Sequence, residues 1–68
     1  MPKYYVNKNT DTNPNNDHEV HEEGCHMMPS SVVDLGYHSN CDSALNAAKN
    51  IYSNSDGCRI CSPSCHNS

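Results

Sequence analysis

Phenylalanine and tryptophan are absent, and only eight large aliphatic side chains occur among 68 residues: Val6, Val20, Val32, Val33, Leu35, Leu45, Ile51 and Ile60. A chain so short has room for one thin core, with four tyrosines supplying most of the bulk. The apolar fraction falls in the range of disordered chains. The net charge of −4 is too small for the usual highly charged disordered sequence. A folded state with so little to bury needs a staple against the conformational entropy of the chain. Five cysteines and five histidines are the obvious source.

Other absences narrow the function. Basic residues number four, Lys3, Lys8, Lys49 and Arg59, and they are scattered. A phosphate-tracking surface needs such charges clustered, so nucleic acid is disfavoured as a partner. No apolar run could span a bilayer, which argues against a membrane partner. The start "MPKYYVNKNT" has neither the basic opening nor the apolar stretch of a secretion signal. A soluble, cytoplasmic chain is therefore expected, with an extracytoplasmic location the alternative if the cysteines are disulfide-bonded. No Ser–His–Asp spacing and no phosphate-cradling glycine loop is recognisable, so no enzyme is expected. A protein contact is the expected kind of partnership, and the chain is expected to be a monomer.

The pattern along the chain predicts one α+β domain over 1–68. It comprises a small three-stranded antiparallel sheet, one helix packed across it, and a cysteine-rich C-terminal tail. Strands are expected over about 3–8, 17–25 and 32–38, from tyrosine and β-branched residues at period two. "TDTNPNND" reads as a loop, and Gly24 as a bulge or strand end. The helix is expected over about 40–53. Ser39 or Asn40 would cap it, Asp42 would stand in its first turn, and Cys41, Leu45, Ala48 and Ile51 or Tyr52 would form its apolar stripe. The tail covers 56–66.

Topology then predicts where the cysteines meet. If the second and third strands pair antiparallel, the helix runs back over the sheet and returns the tail to the end occupied by Cys25. Cys41 is left at the other end, as a small apolar residue of the core, with a disulfide or ligand role the alternative. Four thiols would converge: Cys25, Cys58, Cys61 and Cys65. Cys58 and Cys61 have the C-x2-C spacing that lets one turn present two thiolates to the same ion. The expectation is a tetrahedral structural zinc site held by these four, with His66 or His21 as alternates for the fourth position. His21 lies four residues before Cys25, on the same side of a regular strand. His66 adjoins Cys65, and both could reach one ion only through a tight turn. His18, His26 and His38 are expected to be exposed polar residues.

Rival chemistries share these residues. Two disulfides among Cys25, Cys58, Cys61 and Cys65 would replace the metal and imply an oxidising compartment. A thiol-redox pair at Cys58-Arg-Ile-Cys61 wants its first cysteine at a helix N-terminus, whereas this pair follows a helix end. Haem attachment through "CSPSCH" has one residue too many between its cysteines.

The segments "YYVNKN", "DHEVHEEGC", "LGYHSNCDSALNAAKNIY" and "DGCRICSPSCH" together resemble a group of short bacterial Cys/His-containing proteins of unknown function. The shared pattern is a YYVNKN start, DHEVH with a following cysteine, a helix beginning LG-then-Cys, and a DGC-x2-C tail. The resemblance covers nearly the whole chain. It implies a stand-alone bacterial domain and carries no activity or metal with it.

Overall fold

A computed structural model describes residues 1–10 and 17–66. The loop expected at "TDTNPNND" falls largely outside these. The architecture is α+β: strands β1 (Lys3–Asn7), β2 (His18–Glu22) and β3 (Val32–Tyr37), helix α1 (Cys41–Lys49), strand β4 (Ser55–Gly57) and a closing 3-10 turn, Pro63–Cys65. Among the described residues, no helix is long and apolar enough to cross a membrane.

The sheet corrects the expected one in two ways. It has four strands in the order β3-β1-β2-β4, and it is mixed rather than wholly antiparallel. β1 pairs antiparallel with both β2 and β3, while β4 pairs parallel with β2. The expected pairing of the second strand with the third does not occur, because β1 lies between them. The composition of β1 explains its central place. Tyr4 and Val6 are both buried, and Val6 sits opposite Val20 on one side and Val33 on the other. A strand with both edges paired satisfies all its ladder groups, and this one has the apolar residues to occupy the middle. β4 was hidden inside the expected tail because Ser-Asp-Gly carries no strand preference. Its pairing with β2 decides its conformation.

Alternation along β1 and β2 sorts side chains onto two faces. Tyr4, Val6 and Val20 face α1 and form the core with Ala44, Leu45, Ala48, Cys41 and Cys65, while Val33, Leu35 and Tyr52 pack against it. Tyr5 and His21, which pair with each other, point to the opposite face. The helix buries Cys41, Ala44, Leu45 and Ala48 at i, i+3, i+4 and i+7 spacing. Asn40 is the N-cap, its side-chain oxygen accepting from the Ser43 N–H at 3.2 Å. The helix stops at Lys49, short of the expected end. Ile51 is therefore half exposed to solvent, and Tyr52 alone extends the apolar stripe.

Helix polarity follows from strand order. Because β2 and β3 both run antiparallel to β1, they run parallel to each other. The end of β3, where α1 begins, thus lies at the same end of the sheet as the end of β2. α1 runs away from that end, and β4 runs back to it. All five cysteines accordingly gather at one end of the molecule, and Cys41 is not isolated at the other.

Candidate metal centre

Four side chains from separate parts of the chain converge beyond the end of β2, on the face away from the helix. They are His21, Cys25, Cys58 and Cys61, whose ligating atoms all lie within 4.8 Å of one another. A tetrahedral zinc ion, with Zn–S near 2.3 Å and Zn–N near 2.0 Å, sets such atoms about 3.6–3.8 Å apart. The Cys61 Sγ to His21 Nδ1 distance is 3.9 Å.

Each residue reaches this point for a local reason. His21 alternates with Val20 on β2, so burial of Val20 against the helix turns the imidazole to the other face. Cys25 follows a turn in which its N–H bonds the Glu22 carbonyl at 3.0 Å. That turn needs Gly24 at φ +91°, a conformation L side chains avoid. No strand bulge is required, since Val20 and the cluster belong on opposite faces. Cys58 continues the parallel register that sets Val20 beside Gly57, its N–H donating to the Val20 carbonyl at 2.9 Å. Its side chain therefore falls next to His21. Cys61 is brought round by a turn closed by the Ser62 N–H on the Cys58 carbonyl, 2.7 Å.

The surroundings suit a cation. The Glu22 N–H donates to the Cys61 sulfur at 3.3 Å, an interaction that favours thiolate over thiol. Burial, with contributions from the Cys25 and Cys58 thiols, nevertheless pushes the Cys61 pKa up to about 12. Burial thus opposes a negative charge on Cys61, and a divalent ion would reverse that balance. With Nδ1 toward the sulfurs, His21 turns Nε2 to Glu19, whose Oε1 lies 3.8 Å away. That distance is longer than a hydrogen bond, but it puts a carboxylate behind the imidazole, on the side where outer-shell carboxylates stand in zinc sites.

The remaining expected ligands are elsewhere. Cys65 is joined to Cys41 in a disulfide, with Cα atoms 6.2 Å apart, within the range such bridges need. It cannot serve as a thiolate while so bonded. The two expected bridges drew on Cys25, Cys58, Cys61 and Cys65, and a disulfide was only the lesser alternative for Cys41. The fold brings Cys41 to Cys65 because α1 begins at the end of the sheet to which β4 returns the chain. Pro63–Cys65 turns the chain onto the helix face, and the Ser64 hydroxyl lies 3.3 Å from the Cys41 sulfur. His66 donates from Nδ1 to the Gly57 carbonyl at 3.0 Å and pairs with Asp56 at 3.3 Å, away from the cluster. His18 is half-buried and stacks on Tyr52 with ring centroids 3.8 Å apart. His38 bonds the Leu35 carbonyl at 2.8 Å. Neither is a ligand candidate.

The carboxylate Glu19 escaped the sequence reading. Its signal was present in the Glu-x-His spacing of β2, which puts both residues on one strand face. Searches of the whole chain against family models, curated proteins and solved structures return no match.

Proposed function

We propose that this protein is a small non-enzymatic domain stabilised by one structural zinc ion, held by His21, Cys25, Cys58 and Cys61, and that it acts through protein contacts as an accessory module. The observation that carries this reading is the convergence of one imidazole and three thiols within 4.8 Å, from points as far apart in sequence as residues 21 and 61. The ion would fasten the turn after β2 and the tail after β4 to the sheet. None of the four ligands belongs to the hydrophobic core cluster, and metal affinity would become folding energy there. Three thiolates and a neutral imidazole form a soft, four-coordinate donor set that favours zinc over magnesium or calcium.

The test is native mass spectrometry of protein purified without reductant, before and after chelation. One zinc mass per chain is expected, and its removal should shift the charge states toward less compact forms. Protein that carries no zinc as purified, and takes up none when zinc is added at neutral pH, would remove the reading. Cobalt substitution adds a second readout, since a tetrahedral thiolate site gives intense visible absorption.

The Cys41–Cys65 bridge supports a second element of the reading, an extracytoplasmic location, because oxidising compartments are where structural disulfides persist. Bridge and zinc use different cysteines and are compatible. Thiol counting in denaturant with a chelator present should find three free thiols. Five would exclude the bridge, and one would exclude the zinc site as proposed.

A further inference from the structure

The four ligands are unequally protected. Cys58 and His21 are each only 2% exposed, whereas Cys25 and Cys61 are partly open to solvent. An open groove of about 360 Å³ leads to those two thiols, past Gly24, His26 and Ile60. The two also differ from each other. The Cys61 sulfur takes the Glu22 N–H, which damps its nucleophilicity. Among the described residues, no backbone N–H reaches the Cys25 sulfur. Cys25 also stands in a turn outside the strand ladder, so its side chain can leave the cluster without breaking a strand.

Resting on the metal reading above, we propose that Cys25 is a modification site for small peroxides, and that oxidation links Cys25 to Cys61 and expels the metal. The C-x2-C pair, Cys58 with Cys61, is the pairing the sequence favours. It is disfavoured here because peroxide has no path to the buried Cys58. Cys25 and Cys61, by contrast, line one groove from which peroxide arrives and hydroxide leaves. In the first step the Cys25 thiolate attacks one peroxide oxygen and the O–O bond breaks. The products are a sulfenic acid and one hydroxide (or alkoxide, from an alkyl peroxide). In the second, the Cys61 thiolate attacks the Cys25 sulfur, an S–S bond forms, and a second hydroxide leaves. Two thiolates lose two electrons in all, and the peroxide gains them. The ion keeps only His21 and Cys58, too few to hold zinc tightly.

The experiment uses the wild-type chain loaded with one equivalent of zinc and treated with hydrogen peroxide. Released zinc is followed with a chromogenic chelator, then remaining thiols are blocked in denaturant before trypsin digestion. Cleavage after Lys49 and Arg59 puts Cys58 on peptide 50–59, apart from Cys61 on 60–68. The expected result is free peptide 50–59 with blocked Cys58, together with 9–49 doubly bridged to 60–68. One zinc should be released for each new bridge. Peptide 50–59 linked through Cys58, or zinc retained with its three thiols intact, would overturn the proposal. A 1,3-diketone trap for sulfenic acid, present during the peroxide treatment of the wild type, should label Cys25 at least tenfold more than Cys61. Equal or greater label on Cys61 would also overturn it. A chain that never binds zinc removes the metal reading and this proposal together. Zinc binding followed by a different bridge removes this proposal alone.

Discussion

On the helix face of the sheet, Cys41 and Cys65 are joined covalently. On the opposite face, three cysteines remain thiols beside His21. The two sites share one end of the molecule and one short stretch of chain, since Cys61 and Cys65 are four residues apart. Alternation across β4 separates them. Gly57 faces the helix and nearly touches Cys65, while Cys58 faces away and meets His21. Cysteine chemistry here depends on which face a residue reaches and how many thiols it meets there. Two that meet alone at a suitable Cα separation form a bridge. Three that meet around an imidazole make a group that could hold a metal ion.

The comparison can be broken most severely from the cluster side. Chelation should lower unfolding free energy by about 4 kcal/mol relative to protein holding free zinc at 1,000 times its dissociation constant. Cys58→Ser should weaken zinc binding about 100-fold or more while leaving the Cys41–Cys65 bridge formed, as competition titration and thiol counting would show. Loss of both properties at once would mean that the two faces are one cooperative unit.

Removing the other site has the next largest effect. The double substitution Cys41→Ser with Cys65→Ser opens a bridge spanning 24 residues, worth about 3 kcal/mol by loop-closure entropy. Denaturant unfolding should detect that loss, with zinc affinity changed by less than about threefold. Gly57→Ala probes the strand between the sites. Its Cβ would stand 2.7 Å from the Cys65 Cβ and 2.8 Å from the Cys65 carbonyl carbon. The bridge holds Cys65 from yielding, so the substitution should cost about 1–3 kcal/mol. A smaller cost in the bridge-free background would locate the clash.

The smallest expected effect is a pH dependence confined to the cluster. In metal-free protein, the folded-state pKa of Cys61 lies near 12, above its ordinary value of 9.0. The unfolded chain therefore releases this proton first. The contribution is fully present below about pH 9 and is lost as pH rises toward 12. The disulfide has no proton to lose. Equilibrium unfolding from pH 7 to 11 should show falling stability in the metal-free protein, and Cys61→Ala should remove that slope.

Much of this arrangement was legible in advance. The stripe at Cys41, Leu45 and Ala48, with Asn40 ahead of it, marks the helix because burial and capping there are local properties of the chain. The C-x2-C spacing and the shortage of apolar residues likewise point to Cys58 and Cys61 acting together, with Cys25 as a third. The expected convergence rested on a helix returning the tail to Cys25. It is β4 that returns it, and the helix runs the other way. That reversal leaves Cys58 and Cys61 where they were expected, yet brings Cys41 from the far end to meet Cys65.

The amino-acid sequence by itself determined the α+β class, the need for a staple and the kinds of atoms available to make one. Those follow from composition and from periodicity over a few residues. Only the tertiary structure decided which cysteines share a face. That depends on β1 taking the centre of the sheet and on Ser55–Gly57 adding a parallel edge, pairings between segments far apart in the chain. A strand's faces alternate residue by residue, so Val20 packing inward turns His21 outward to the cluster. The same alternation sends Cys58 away from the helix, and the turn after Ser62 brings Cys65 back to it.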